Sequence, residues 1–328
     1  MSGQRGSWRE GAHRARAMAR RLDARIAGAA LLLAAALALP PVPLQRPSYA
    51  WLVTFDITQS MDVEDAHVDG RPSSRLEAAR AAMRAALPRL PCGSKVGWAV
   101  FADYRTLVLL RPVEVCRHYE ELLTALERID GRMRWANASN VGKGLTWAVR
   151  GARDAGAGTG VVMFTDGHEA PPLREGETPP MADLRPGEVR GWVVGVGGER
   201  AEPIPRSDAN GVRVGTWRAD EVVQRPGLPA GASHEQLSAL QEEDLRGLAR
   251  LLGLDYLRLG DRPAALERAL TEPRMARVAP VPTALGAVPA ALAGLLLAWR
   301  FAPALRPRLR VRALVQAARS PRIPGSVA

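Results

Sequence analysis

The feature that most constrains this chain is an apolar run that ends in an aspartate and is followed by alternating hydroxyl residues. Residues 51–55 are the apolar run, Asp56 is the acid, and Thr58 and Ser60 follow it. A short continuous apolar run before a polar loop is typical of a buried parallel strand. Ligands of open α/β sheets bind outside the carboxyl ends of such strands. We therefore expect the three oxygen-bearing side chains to lie in one loop at that edge of a sheet.

These side chains suit a hard divalent cation. Mg²⁺ and Ca²⁺ are coordinated by oxygen atoms, and Asp56, Thr58 and Ser60 supply one carboxylate and two hydroxyls. This set leaves a divalent charge only partly neutralised, so it predicts a further acidic ligand. The alternative interpretation is that Asp56 ends a strand and caps the helix that follows.

Two later segments complete this pattern. Residues 161–164 are a second apolar run, and Thr165 and Asp166 follow it. A polar loop that contains Ser139 lies directly before a predicted helix. Taken in chain order, the three segments resemble the metal-ion-dependent adhesion site of von Willebrand factor A (VWA) domains. That pattern is Asp-x-Ser-x-Ser, then a threonine in a Gly-rich loop, then an aspartate after a strand.

The resemblance implies a complete set of protein ligands for a divalent cation, either Mg²⁺ or Ca²⁺. Thr58 stands where the family pattern has serine, and Ser139 stands where it has threonine, so a hydroxyl is kept at both positions. The resemblance also implies that a protein partner completes the metal shell with an acidic residue. The implied ligands are Asp56, Thr58, Ser60, Ser139 and Asp166.

Strands and helices alternate along the middle of the chain. This order predicts an α/β fold with a doubly wound, mostly parallel sheet and one antiparallel hairpin strand. The prediction agrees with the Rossmann-like fold of VWA domains. The resemblance to that family extends over about residues 50–272.

The two cysteines, Cys92 and Cys116, flank the predicted hairpin. Its strands are residues 95–101 and 106–110, and residues 103–105 form the turn. Since the two cysteines are equally far from the turn, we expect them nearly opposite each other beyond the open end, within reach of a disulfide. An even number of cysteines in an exported domain permits such a bond. The alternative is two free, buried cysteines.

The positive charge of the chain is confined to its two ends. The formal net charge is +11, but residues 1–25 carry +5 and residues 300–328 carry +7, which leaves −1 for the rest. A nucleic-acid-binding domain carries its basic residues on one face of the fold. The distribution therefore argues against a nucleic-acid partner.

Each basic end lies next to an apolar segment, and this arrangement predicts membrane attachment. The positive-inside rule assigns both ends to the cytoplasm, so the protein is expected in the cell inner membrane with its middle part in the periplasm. Cleavage of the first segment as a signal peptide, and burial of both segments as core helices, are the alternatives. The predicted parts are a basic tail, an anchor or signal segment, the VWA domain, a transmembrane helix and a second basic tail, at residues 1–25, 26–44, 45–280, 281–299 and 300–328.

Local segments resemble two bacterial branches of the VWA family. Residues 72–79 and 203–205 look like the membrane-anchored branch that includes the aerotolerance (Bat) proteins. The cysteine pair and residues 131–133 and 165–172 look more like the MxaL accessory proteins of periplasmic methanol dehydrogenase. The second resemblance implies a role in maturation, assembly or Ca²⁺ insertion of that enzyme. It also implies three candidate partners: the dehydrogenase, its other accessory proteins and a MoxR-type AAA+ ATPase.

The function expected from these features is a non-enzymatic, metal-dependent protein-binding module. Haloacid-dehalogenase-type phosphatases also begin with an aspartate after a strand, but they need a second acid where Thr58 stands. No complete catalytic set occurs in the sequence. A Bat-like stress complex and a scaffold with an empty metal site are the alternatives. His168 and Glu169 are interpreted either as neighbours of the metal ligands or as ordinary loop residues.

Overall fold

The computed structural model describes residues 24–173, 178–208, 210–225, 227, 233–260 and 264–301. Most of the two predicted basic tails therefore lies outside the described residues. The chain forms two units. One runs from Gln45 to Val281, and the other consists of the two terminal parts, up to Leu44 and from Pro282.

The elements are numbered along the chain. The strands are β1 (Val42–Ser48), β2 (Ala50–Asp56), β3 (Ala66–Val68), β4 (Arg71–Ser73), β5 (Lys95–Ala102), β6 (Arg105–Glu114), β7 (Gly160–Thr165), β8 (Gly191–Gly195), β9 (Glu202–Pro203), β10 (Pro205–Ser207), β11 (Arg213–Thr216), β12 (Leu237–Ser238), β13 (Asp255–Arg258) and β14 (Arg277–Thr283). The helices are α1 (residues 24–38), α2 (Arg75–Ala86), α3 (Tyr119–Glu127), α4 (Val141–Ala155), α5 (Glu242–Leu252), α6 (Ala264–Leu270) and α7 (residues 287–301).

A mixed, mostly parallel sheet forms the centre of the larger unit. Its strand order is β13-β8-β7-β2-β5-β6. All neighbouring pairs are parallel except β5 and β6, which form an antiparallel hairpin. Strands β2 and β7 are buried along their whole length, as expected for apolar strands covered on both faces. The predicted α/β fold is confirmed, including the antiparallel hairpin strand.

The two faces of the sheet bury two separate apolar cores. Helices α2, α3 and α6 cover one face, where the ring of Phe55 stacks on Phe164 at 5.3 Å between centroids and lies 6.0 Å from Trp98. Helices α4 and α5 cover the other face, where Leu52 and Phe101 are fully buried. Successive side chains of a strand point to opposite faces. Strand β2 therefore contributes to both cores and fixes the position of Asp56 at its end.

The hairpin of β5 and β6 carries the predicted disulfide. Ala102 pairs with Arg105, and Asp103 begins the turn with a φ of 59°. The bond joins Cys92 to Cys116 with 5.3 Å between their Cα atoms. It closes the end of the hairpin away from the turn, as the spacing of the two cysteines predicts.

The apolar segments that flank the larger unit are only partly helical. Within residues 26–44, helix α1 ends at residue 38 and strand β1 begins at Val42. Within residues 281–299, the end of strand β14 comes first and helix α7 follows it. Prolines at positions 40, 41 and 282 explain the breaks, since proline has no amide hydrogen for a helix. In the described part of the chain, no helix is long and apolar enough to cross a membrane.

Reduction of the Cys92–Cys116 disulfide should lower the free energy of unfolding by roughly 2–4 kcal/mol, because the bond restricts the unfolded chain. Denaturant titration of the full-length protein with and without a reductant measures this change. The double variant Cys92→Ser/Cys116→Ser is the control: it should match the reduced wild type and show no response to the reductant. Two titratable thiols in the native, unreduced protein would contradict the prediction.

Candidate metal site

Two carboxylates meet at the carboxyl ends of the central strands. Asp56 is the last residue of β2, and Asp166 directly follows β7. These strands are parallel neighbours, with Phe55 opposite Phe164, so the two acids lie at the same edge of the sheet. Both are completely buried. Burial, together with repulsion from Asp166, raises the pKa of Asp56 to about 7.

The loop after β2 folds back onto the first carboxylate. Oδ1 of Asp56 accepts hydrogen bonds from the amide of Thr58 at 2.9 Å and from its Oγ1 at 2.7 Å. Oγ of Ser60 lies 3.2 Å from Oγ1 of Thr58. From the neighbouring strand, Thr165 donates its hydroxyl to Oδ2 of Asp56 at 2.6 Å. Sequence reasoning singled out the first three residues but gave Thr165 no role, although its position before Asp166 was a usable signal.

Ser139 reaches the same edge on a third loop. Its amide donates to the carbonyl of Ala170 at 2.6 Å, and its carbonyl accepts from the Ala170 amide at 2.8 Å. The next residue, Asn140, donates its amide to the carbonyl of Asp103 in the hairpin turn at 2.5 Å. Two-sided backbone pairing therefore holds Ser139 between the turn and the loop that carries Asp166.

The hydroxyl of Ser139 is buried and has no hydrogen-bond partner among the described residues. Buried polar groups are nearly always paired, so an unpaired one needs an explanation. Ser139 lines the same cavity as Thr58 and Ser60. This hydroxyl is therefore available to a group that the cavity holds.

The structure brings the predicted residues to one edge of the sheet as an all-oxygen set. Two carboxylates and three hydroxyls fit Mg²⁺ or Ca²⁺, whereas Zn²⁺ and copper prefer nitrogen and sulfur. The kind of ion stays a prediction from the donor chemistry. Its members are Asp56, Thr58, Ser60, Ser139 and Asp166.

A fully buried arginine joins this set, and sequence reasoning missed it. Arg75 donates from Nη1 to Oδ2 of Asp166 at 2.5 Å and to Oγ of Ser238 at 2.7 Å. Its Nε and Nη2 also donate to the two carboxylate oxygens of Asp65, at 2.9 Å and 2.6 Å. The hydroxyl of Ser238 in turn donates to Asp166 at 2.9 Å.

The position of Arg75 was a signal that could have revealed it. Ser74 caps helix α2 by accepting the amide of Glu77 at 3.1 Å, so Arg75 is the first residue of the helix. Cations are unfavourable at the positive end of a helix dipole. An arginine there indicates a strong compensating anion, and Asp65 and Asp166 supply two.

The loop after Asp166 places two further side chains, His168 and Glu169, next to the site. His168 is buried and lines the cavity, and burial lowers the pKa of its imidazole. Oε1 of Glu169 accepts the amides of Val141 at 3.0 Å and Gly142 at 3.4 Å, at the start of helix α4. Burial raises the pKa of Glu169 to about 8. Glu169 therefore fixes the helix that follows Ser139, which is more than the role of an ordinary loop residue.

Comparison with known proteins agrees with this geometry. Residues 52–168 match the family model described as von Willebrand factor type A domain. The matched segment includes every one of the predicted metal-site residues. No enzyme family is indicated by this match. Among curated proteins, no match to the sequence is found.

Several solved structures are similar to the chain at low identity. An aerotolerance-related membrane protein from Bacteroides fragilis NCTC 9343 is 20% identical, with 69% of this chain and 98% of that chain covered and a TM-score of 0.49. The conserved hypothetical protein BatB from Bacteroides thetaiotaomicron is 20% identical, with 70% and 98% covered and a TM-score of 0.47. An uncharacterized membrane spanning protein from Vibrio fischeri is 16% identical, with 66% and 93% covered and a TM-score of 0.27. These similarities are too distant to bear on function.

Replacement of the buried arginine tests its role at the site. Arg75→Met should lower the free energy of unfolding by roughly 3–5 kcal/mol, because it leaves Asp65 and Asp166 without a counter-charge. The matched control is Arg84→Met on the same helix, whose partly exposed ion pairs should contribute only about 0–1 kcal/mol. Denaturant titration of the full-length variants measures both changes.

A double-mutant cycle tests whether the loss of stability in Arg75→Met comes from its pairing with Asp166. Asp166→Asn removes the carboxylate that Arg75 faces, so the double variant Arg75→Met/Asp166→Asn should lose less stability than the sum of the single changes. Strict additivity, or equal stability of Arg75→Met and Arg84→Met, would contradict the inferred charge pairing.

Proposed function

Because residues 52–168 match the family model described as von Willebrand factor type A domain, we propose that this protein is a metal-dependent protein-binding module. VWA domains are generally protein-interaction modules. The observation that carries the metal part of the proposal is the buried, unpaired hydroxyl of Ser139, beside the hydroxyls of Thr58 and Ser60.

In the proposed site a Mg²⁺ or Ca²⁺ ion would be held by Asp56, Thr58, Ser60, Ser139 and Asp166, and it would supply a positive charge for an acidic residue of a partner protein. Arg75 pairs with Asp65 as well as with Asp166, so its own charge is already compensated. The acidic residue of the partner rests on the resemblance to the family site, in which such a residue completes the metal shell.

The module is proposed to act at the cell inner membrane with its VWA domain in the periplasm. Membrane segments at residues 26–44 and 281–299 would hold it there, with both termini in the cytoplasm. The Arg-rich flanks of these segments support this orientation. The Cys92–Cys116 disulfide supports an oxidising compartment.

The process that we propose is maturation, assembly or Ca²⁺ insertion of periplasmic methanol dehydrogenase. It rests on the resemblance of residues 131–133 and 165–172 to MxaL accessory proteins. The dehydrogenase, its other accessory proteins and a MoxR-type AAA+ ATPase are the proposed partners.

Two observations favour alternatives. Residues 72–79 look like those of Bat proteins, and Arg75 within them is central to the site. This favours a stress-related complex. The oxygens of Asp56 and Asp166 already accept hydrogen bonds from the protein, which favours a scaffold with an empty site. Metal titration separates this scaffold from the metal-dependent module.

Ca²⁺ or Mg²⁺ should raise the melting temperature of the full-length wild type, because an ion that binds only the folded state stabilises it, by about 2.7 kcal/mol at a hundredfold excess over Kd. Asp56→Ala should abolish the response, and Ser139→Ala should reduce it. Asp154→Ala removes an exposed acid of helix α4 and is the control that should respond like wild type. Thermal melts and calorimetric titrations give the two readouts. An equal response of wild type and Asp56→Ala would refute the assigned ligands, and no response in wild type would favour the scaffold.

Reporter fusions test the proposed topology. A reporter fused after Leu44 or after Glu272 should be active outside the cytoplasm, and one fused after Arg312 should be active in the cytoplasm, because both Arg-rich ends are expected to stay inside. Alkaline phosphatase and a cytoplasm-active fluorescent protein are suitable paired reporters. A cytoplasmic signal from the fusion after Glu272 would exclude the proposed orientation.

A further inference from the structure

A cleft of about 210 Å³ lies beside the candidate metal site. One side of it is formed by residues 202–208 and 210–225, which we call the insertion, since they lie between the sheet strands β8 and β13. The metal side of the cleft is polar, and the side formed by the insertion and by the loop after His168 is largely apolar. The apolar lining residues are Pro171, Pro172, Ile204, Trp217, Val222 and Val223.

A chain of hydrogen bonds ties the insertion to two of the metal-site loops. The indole Nε1 of Trp217 donates to Oε1 of Gln59, and Nε2 of Gln59 donates to Oδ1 of Asn137 at 2.9 Å. Gln59 stands between Thr58 and Ser60, and Asn137 is two residues before Ser139. The apolar wall is therefore held at a fixed position relative to the candidate ligands.

Further contacts fix the ring of Trp217. Its backbone amide donates to the carbonyl of Ile204 at 3.0 Å, and the guanidinium of Arg206 lies 4.9 Å from the ring centroid. The indole is thereby presented as a rigid apolar surface with its polar nitrogen already paired. Rigid aromatic side chains of this kind are frequent anchors of protein–protein binding.

The charged residues at the rim of the cleft are already paired with each other. An acidic residue of a partner protein is therefore expected to bind at the metal end of the cleft. Glu221 and Glu235 line the cleft, and each is paired with an arginine. Arg206 donates to Glu221 at 2.8 Å, and Arg225 lies 3.4 Å from Glu235. With these arginines engaged, a partner carboxylate is attracted at the cation and not at the rim.

The size of the cleft limits what it can hold. Sites for metabolites and cofactors usually measure about 300–1,000 Å³, so the cleft is too small for most of these ligands. It has room for about two side chains of one extended segment. An apolar wall next to a cation position fits an acidic side chain and a large apolar side chain on the same face of the segment, which in an extended chain are two residues apart.

We propose that the cleft binds one extended segment of a partner protein, in which an acidic residue and a large apolar residue are two positions apart. The inference rests on the proposed metal-dependent function and adds to it the chemistry of the partner segment. The cation selects the acid, and the wall around Trp217 selects the apolar residue on the same face of the segment. The insertion is thus the element that sets specificity.

The test uses short peptides as probes of the full-length protein in the presence of saturating Ca²⁺. The probes are acetyl-Gly-Glu-Gly-Leu-Gly-amide, the same peptide with serine in place of leucine, and the same peptide with glutamine in place of glutamate. Calorimetric titration should give at least about tenfold tighter binding for the leucine peptide than for the serine peptide, as burial of one large apolar side chain implies. The glutamine peptide should not bind, and chelation of Ca²⁺ should abolish binding of the other two.

Two variants locate the preference at the wall. Trp217→Ala should reduce the leucine-to-serine affinity ratio to about one, and the milder Val223→Ser, which changes an exposed cleft residue, should reduce it in part. Trp147→Ala is the matched control, since this exposed tryptophan of helix α4 is not a residue of the cleft, and it should keep the wild-type ratio. Ca²⁺ affinity is measured for each variant in parallel.

The outcomes separate this inference from the proposed function. Wild type that binds Ca²⁺ and both glutamate peptides equally would overturn the cleft inference and leave the metal-dependent module standing. Wild type that binds neither Ca²⁺ nor Mg²⁺ would overturn both. A Ca²⁺-dependent dimer that binds no peptide and is lost in Trp217→Ala would assign the cleft to a second copy of the chain, and so would also overturn the inference.

Discussion

A buried guanidinium between two carboxylates is the interaction on which the loops above the sheet depend. Arg75 has no exposed surface, and a charge without solvent is tolerated only where anions and hydrogen bonds surround it. Asp65 and Asp166 supply the anions, and Ser238 adds its hydroxyl and its carbonyl. Asp65 also accepts the amide of Gly198 at 2.8 Å. Through these contacts, the side chain of Arg75 holds together segments that are far apart in sequence.

The second constraint is the mutual repulsion of Asp56 and Asp166. Burial next to another acid raises the pKa of Asp56, and an acid whose pKa is higher in the folded than in the unfolded chain weakens stability as the pH rises through that value. At neutral pH the pair therefore opposes folding. Thr58 and Thr165 donate hydrogen bonds that offset part of this cost. A divalent cation would relieve the remainder, so binding and folding would be coupled at this edge of the sheet.

The sequence predicts those features that depend on local periodicity and on symmetry about a turn. The apolar runs ending at Asp56 and before Asp166 identify neighbouring central strands, and the equal distances of Cys92 and Cys116 from a turn identify the disulfide. Flanking membrane segments were expected from composition, yet prolines divide the apolar segments between helix and strand. The apolar composition of a segment does not show where prolines end its helix.

The parts that sequence reasoning missed depend on contacts between distant residues. Sequence reasoning gave Arg75 no role, and only the folded chain shows that Asp166 and Ser238, 91 and 163 residues later, surround it. It likewise gave the insertion no role at the site. Its Trp217 has a defined role only through Gln59, which is 158 residues away. No local pattern encodes pairings of this length.

The disulfide and the candidate metal site lie at opposite ends of the same strands. Lys95 begins β5 beside the disulfide, whereas Asp56, at the far end of the neighbouring strand, pairs with Phe101. Seven residues of strand separate the two positions by about 20 Å. The disulfide and the candidate ligands therefore belong to the same strands without being near each other. Under the proposed function, the covalent framework would form without the ion, and the ion would be received at a site that the disulfide does not touch.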